Sequence, residues 1–211
     1  TITVLQDGDC SVAHRRLPSR MDVVDGAFQV VGRDVLIGLP ETGPDGRPER
    51  PKAPIRTRRG EATCELHGWV LDADTDRQRV DMRFKADRVP LDDALAGALG
   101  ESSRKALDSL NAVGEARDVS AELTQTGDED VDYSVTCRLD DLAFRYEDFP
   151  YAVTDAGCRV RITPGRVRIR DLDGRHGNAK IRLGCTLFTE DVEGGGLRLA
   201  VDVLDMALDE D

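Results

Sequence analysis

The chain has few aromatic residues, few histidines and no long apolar run. Phe, Tyr and Trp make up 4% of its 211 residues, so few large side chains are present to fill a deep interior. No segment approaches the roughly 18 consecutive apolar residues of a membrane-spanning helix. The three histidines lie far apart, and no G-x-S-x-G motif or other nucleophile motif accompanies them. The sequence therefore predicts a protein that is not an enzyme.

Acidic residues outnumber basic ones, with 41 Asp and Glu against 29 Lys and Arg. The formal net charge is −12, with 33% of residues charged. Sequence-independent binding to nucleic acid depends on Lys and Arg side chains that neutralise phosphates. We therefore expect no nucleic-acid partner.

No pair of cysteines has the C-x-x-C spacing of a zinc site. Each cysteine instead alternates with apolar residues on a predicted strand, which is typical of a small buried hydrophobic residue. The five are Cys10, Cys64, Cys137, Cys158 and Cys185.

One acidic segment resembles the start of a calcium loop. Asp72, Asp74 and Asp76 have the right spacing, but Arg77 and Arg83 stand where Gly and Glu are required. A solvated hairpin tip is the favoured interpretation, and no metal or cofactor is predicted.

Strict alternation of apolar and charged residues dominates the chain. Residues 159–162 and 166–170 alternate on either side of a Pro-Gly turn, and residues 80–87, 131–135, 180–183 and 197–203 follow the same pattern. This period of two predicts antiparallel strands with one apolar and one charged face. The arginines from Arg159 to Arg170 fall on the charged face, where we expect them to pair with acidic neighbours across the strands. Contact of these arginines with anionic lipid headgroups is the alternative.

A single segment changes period. Apolar residues between Asp92 and Val113 have helical spacing, which predicts a short helical connector over residues 92–114.

The strand pattern occurs twice. An offset of 132 aligns Phe28 with Val160 and Ile37 with Ile169, and an offset of 117 aligns Leu66 with Leu183. One loop insertion at residues 40–54 explains the change of offset. We therefore predict a first β copy at residues 1–91, the connector at 92–114 and a second β copy at 115–211. Because the second copy ends where the first enters the connector, we expect the chain to be part of a longer array.

The apolar face of such a sheet must be covered. A closed barrel, a sandwich and an open trough filled by a ligand all satisfy this requirement. The face is mainly Val, Ile, Leu and Cys, and aliphatic groups without aromatic anchors suit acyl chains. An ordinary barrel or sandwich core remains the alternative.

Several short motifs resemble a known family. Phe149-Pro150-Tyr151, the segment Asp171–Ala179 and the acidic stretch Pro90–Leu95 are similar to the repeat of bacterial AsmA-like proteins, which are relatives of TamB and of the chorein-type bridge-like lipid-transfer proteins. The first copy departs from this pattern, since Leu17-Pro18-Ser19 and Arg59-Gly60 replace two of the motifs.

The resemblance implies a mainly β, antiparallel, curved repeating groove that binds or conducts phospholipid or other long apolar ligands between membranes. It also implies a location in the periplasm or cell envelope of a bacterium, further repeats of the same chain as partners, and anchoring to the inner membrane by an N-terminal helix outside this sequence. A structural or protein-interaction scaffold, with its apolar face closed internally or by a partner, is the alternative. The predicted groove-lining residues are Leu66, Met82, Phe84, Val160, Ile162, Val167, Ile169, Ile181, Leu183, Leu199 and Val201.

Overall fold

The computed structural model describes residues 2–5, 11–12, 21–38, 53–59, 61–92, 111–145, 152–188 and 197–204. These residues form strands and turns, and no helix occurs among them. The predicted class, mainly β and antiparallel, is confirmed. The predicted connector falls largely on residues 93–110 and the loop insertion largely on residues 39–52, which lie outside the described residues.

Within the described residues, fourteen strands form one sheet, and most neighbours in the sheet are consecutive in the chain. The strands are β1 (Ile2–Leu5), β2 (Ser11–Val12), β3 (Met21–Asp25), β4 (Ala27–Val31), β5 (Asp34–Ile37), β6 (Ile55–Arg59), β7 (Ala62–Leu71), β8 (Arg79–Pro90), β9 (Val113–Thr126), β10 (Asp132–Phe144), β11 (Val153–Thr163), β12 (Arg166–His176), β13 (Ala179–Phe188) and β14 (Leu197–Leu204). The hydrogen-bonded order is β1-β4-β5-β7-β8-β9-β10-β11-β12-β13-β14, with β2 paired to β3, and β3 and β7 paired to β6.

The chain forms two compact units. The first contains residues 1–14, 19–87 and 119–134, and the second contains residues 15–18, 88–118 and 135–211. The bounds of the two copies predicted from the sequence remain predictions.

The repeat extends to the register of the strands. In the first copy Phe28 pairs with Ile37, and in the second Val160 pairs with Ile169, as the offset of 132 requires. The pair Leu66–Phe84 likewise corresponds to Leu183–Val201 at an offset of 117. The turns correspond as well, since two residues join each hairpin, Gly32-Arg33 in one and Pro164-Gly165 in the other.

Three long strands of the second copy correspond to pairs of short strands in the first. Strand β12 corresponds to β5 followed by β6, because Leu172 pairs with Leu183 as Ile55 pairs with Leu66. Register equivalents also relate β11 to β3 and β4, and β10 to β1 and β2. The loop insertion of the first copy therefore interrupts one strand of the repeat.

Buried residues occupy equivalent positions in the two copies. Ile55, Ala62 and Cys64 are buried in the first. Their counterparts Leu172, Ala179 and Ile181 are buried in the second. Because identical register positions are buried twice, the core follows from the repeat and not from one local sequence.

Candidate apolar binding face

The hairpin of β11 and β12 separates apolar from charged side chains. Val160 lies opposite Ile169, and Ile162 lies opposite Val167. Directly opposed residues of an antiparallel pair project from the same face. These four side chains are half-buried, whereas the arginines that alternate with them are exposed. The predicted division of this hairpin into two faces is therefore present in the structure.

Strand β10 extends this apolar face. Cys137 pairs with Val160, and Val135 pairs with Ile162, so two rows of half-buried apolar side chains continue across three strands. The sequence prediction did not include Val135 or Cys137 among the lining residues. Their alternation with exposed Thr136 and Arg138 is the signal that identifies them.

Backbone pairing continues in register from these rows into β13 and β14. Ile169 pairs with Cys185, and Cys185 pairs with Leu199. The predicted lining residues Leu183 and Val201 pair with each other. The side chains of Leu183, Cys185, Leu199 and Val201 lie outside the described part of the structure.

β-Bulges keep the apolar residues on one face where their spacing becomes odd. Ile169 and Leu172 are three residues apart, yet they oppose Cys185 and Leu183, which are two apart. The bulge contains Asp171, whose φ is 54°. Asp141 in β10 and Asp155 in β11 also have positive φ at register shifts. Asp tolerates this left-handed conformation better than most residues. The bulge at each Asp therefore restores the alternation, so that apolar residues before and after it project from the same face.

One end of this face is a closed core. The buried cluster packs against Val160 and Ile169, so these two residues border it. The predicted lining residue Ile181 lies inside the cluster and is 9% exposed. Ile162 and Val167 are outside the cluster and closer to the hairpin turn. The cluster consists of Leu142, Val153, Ala156, Cys158, Leu172 and Ile181.

The first copy has the same arrangement on β7 and β8. Leu66 pairs with Phe84, and Met82 pairs with Gly68, which places the three predicted lining residues on one face. Their side chains are half-buried. On β4, Val30 is 41% exposed although its equivalent position, Ile162, belongs to the apolar rows. Part of the apolar face of this copy is therefore accessible to solvent.

The charged face of β11 and β12 differs from the sequence expectation. Arg159 does form an ion pair with Asp171, with 3.7 Å between Nη1 and Oδ2. Arg161, however, lies opposite Arg168, and neither has an ion pair with any described residue. The expectation that the whole stripe pairs with acidic neighbours is wrong, because the register places arginine opposite arginine.

Two of the three histidines, His67 and His176, lie in the described part of the structure. His176 Nδ1 donates a hydrogen bond to the backbone oxygen of Ala152, at 2.8 Å, which ties the end of β12 to the start of β11. Burial lowers the pKa of His67, and the positive charges of Arg83 and Lys85 add to this effect against Asp81 and Glu65. His14 lies outside the described residues.

The acidic tip between β7 and β8 is a hydrogen-bonded turn. The Asp72 amide donates to Asp34 Oδ1 at 2.9 Å, and the Thr75 hydroxyl donates to the Asp72 carbonyl at 2.7 Å. Asp72 and Asp74 have positive φ, and Asp72, Asp74 and Asp76 are exposed. In the described ranges, no group of three or more His, Cys, Asp or Glu residues is arranged to hold a metal ion.

Cys137 offers a chemical probe of the apolar face. Burial raises the pKa of its thiol from 9.0 to about 11. Because the thiolate is the nucleophile, we expect the rate of alkylation at Cys137 to rise with pH through a midpoint near 11. Mass spectrometry of the peptide that contains Cys137 measures this profile. The neutral thiol contributes to folding stability fully below pH 9, and this contribution declines as the pH rises through 11. A midpoint near 9 would contradict burial of this thiol.

Comparison with known proteins gives no relative for this chain. No family model, no curated protein and no solved structure matches it. No helix in the described residues is long and apolar enough to cross a membrane. The geometry of the apolar face therefore carries the functional argument.

Proposed function

We propose that this chain is a non-enzymatic part of an AsmA-like protein of the bacterial cell envelope, in which the apolar face of the sheet binds or conducts phospholipid or another long apolar ligand. The proposal includes a location in the periplasm or cell envelope and association with further repeats. The observation that carries it is the pair of half-buried rows, Val135–Ile162–Val167 and Cys137–Val160–Ile169.

The chemistry of these rows suits an acyl chain. Their described side chains are aliphatic apart from the thiol of Cys137, which is only a weak hydrogen-bond donor, so they provide little that would fix a polar ligand. Burial of apolar surface contributes about 0.8 kcal/mol per methylene, and an acyl chain has many methylenes in a line. A row that continues in register from strand to strand matches such an elongated ligand better than a compact one.

The partial exposure of the apolar rows favours a bound ligand over a core that the protein buries by itself. Ile162 and Val167 are half-buried, and Val30 at the position equivalent to Ile162 is 41% exposed. Contiguous apolar surface that remains accessible is typical of a binding surface.

A scaffold function is the second candidate. The side chains around Leu172 and Ala156 are buried and belong to one cluster, which favours a face that is covered by the protein itself. In this alternative, another chain or further repeats cover the remaining rows, and no lipid binds.

The replacement of Ile162 and Val167 by Asp tests the lipid proposal. These residues oppose each other and lie outside the buried cluster, so the double variant I162D/V167D is expected to fold. Two carboxylates in the rows should make acyl-chain contact unfavourable. We expect native mass spectrometry to detect phospholipid on the parent chain and at least a tenfold lower lipid-bound fraction on the variant.

The neighbouring pair Arg161 and Arg168 supplies the matched control. These two residues oppose each other on the charged face, and R161Q/R168Q lowers the net charge by the same two units as I162D/V167D. The control should retain the lipid-bound fraction of the parent. If the parent chain carries no lipid, or if both double variants lose it equally, the scaffold function is favoured instead.

A further inference from the structure

Five arginines form a continuous basic surface on the charged side of β11 and β12. We call Arg159, Arg161, Arg166, Arg168 and Arg170 the arginine face. Arg159 lies opposite Arg170, and Arg161 lies opposite Arg168. All five side chains are exposed. Directly opposed like charges destabilise a sheet, so this arrangement requires a reason outside strand pairing.

An acidic side chain neutralises the arginine face at Arg159. Arg159 pairs with Asp171, and neighbouring Arg138 pairs with Asp140, with 2.9 Å between Nε and Oδ2. Within the described ranges, Arg161, Arg168 and Arg170 form no ion pair. The residues that flank the Arg161–Arg168 pair across the sheet are Thr136 and Thr186. The centre of the face therefore has positive charge without an acidic neighbour in register.

The repeat shows that the fold does not need these arginines. The first copy has Gln29 opposite Leu36 at the positions that correspond to Arg161 and Arg168. Asp34 corresponds to Arg166. The same register thus forms without the basic residues, and the arginine face is a property of the second copy alone.

We propose that the arginine face docks on the phosphate groups of an anionic phospholipid bilayer. Guanidinium groups bind phosphate oxygens through paired hydrogen bonds, and a bridging anion relieves the repulsion between opposed arginines. The threonines beside the central pair provide no stacking surface for nucleic-acid bases. The choice of a membrane as the partner rests on the proposed lipid function, since the opposite side of the same hairpin presents the aliphatic rows.

The net charge of −12 does not prevent this docking. At physiological ionic strength the screening length is about 8 Å, so acidic groups beyond that distance contribute little to the energy at the bilayer. Arginines near an anionic surface each contribute to partition. The local charge of the arginine face therefore determines the interaction, and high salt should weaken it.

Vesicle co-sedimentation of the whole chain tests the proposal. The vesicles contain phosphatidylcholine alone or phosphatidylcholine with phosphatidylglycerol. We expect the parent chain to partition onto the anionic vesicles only, and R161Q/R168Q to partition about 30-fold more weakly. Far-UV circular dichroism checks that the variant folds, as the Gln29–Leu36 pair of the first copy predicts.

The variant I162D/V167D separates this proposal from the lipid function. It carries the same change in charge on the opposite side of the hairpin, so it should bind anionic vesicles as the parent does while losing bound lipid. R161Q/R168Q should show the reverse. Equal vesicle binding by the parent and R161Q/R168Q, no binding to anionic vesicles, or binding to duplex DNA as tight as to vesicles at equal phosphate concentration would each overturn docking on a bilayer.

Discussion

Replacement of Gly68 by Ala should strongly destabilise the first copy. A Cβ atom at this position would lie 2.1 Å from the Asp81 carbonyl oxygen and 2.8 Å from Met82 Cα. Both are backbone atoms of the paired strand β8 and cannot rotate away. The φ of Gly68 is 147°, which adds backbone strain of about 1–3 kcal/mol to an overpacking cost of about 1–3 kcal/mol.

Trp69 reports this change directly. It is the single tryptophan of the chain and follows Gly68 in β7, so its fluorescence during urea unfolding follows the first copy. The expected loss of about 2–6 kcal/mol compares with a total stability of about 5–15 kcal/mol for a typical protein.

Gly32→Ala is the control for backbone strain without a clash. Gly32 has a φ of 61°, and a Cβ atom there would meet nothing within 4 Å. Its replacement should cost about 1–2 kcal/mol, the ordinary penalty of a left-handed conformation. Equal losses for the two variants would show that the close approach of β7 and β8 at Gly68 has been misjudged.

Replacement of Leu172 by Ala should have the largest effect on the second copy. Leu172 is 4% exposed and belongs to the buried cluster of that copy. Truncation removes contacts with surrounding side chains and leaves a cavity, which typically costs about 2–5 kcal/mol for a buried leucine. Urea unfolding followed by far-UV circular dichroism should show a lower midpoint.

Two readouts assign this loss to its place in the chain. The midpoint reported by Trp69 should change less than the one reported by circular dichroism, because Leu172 and Trp69 belong to different compact units. Ile162→Ala, at a half-buried position outside the cluster, should cost less than Leu172→Ala. If both truncations cost the same, the distinction between a closed core and an accessible row is wrong.

Much of the fold could be predicted from alternation. Arginine alternates with apolar residues in 159–162 and again in 166–170, which predicts a hairpin. The structure has this hairpin, with Pro164-Gly165 at its tip. The repeat can be predicted for a similar reason, because large apolar residues stand at corresponding positions of the two copies. Phe28 and Ile37 of the first copy correspond to Val160 and Ile169 of the second. Strand register then follows from the hydrophobic pattern, since a slip by one residue would turn the row to solvent.

The remaining features depend on tertiary contacts that a linear pattern does not record. Alternation assigns Ile181 and Ile162 to the same face but cannot say that Ile181 lies within a closed cluster while Ile162 does not. The bulge at Asp171 can be predicted from the sequence, because the alternation of apolar residues shifts by one residue between Ile169 and Leu172. The positive φ of Asp171 is a local backbone state that the side chain permits but does not require.

The bulge at Asp171 also explains where the repeat can change length. The second copy has one extra residue there, between Ile169 and Leu172, and the equivalent interval in the first copy, between Ile37 and Ile55, holds the whole insertion. The ladder is already interrupted at a bulge, so chain added at this point removes few hydrogen bonds from the strands on either side. The two copies thus differ in length at a position where the repeat has a β-bulge. Asp141 and Asp155 mark two further bulges, at which the same β unit can acquire new loops while its apolar residues stay on one face.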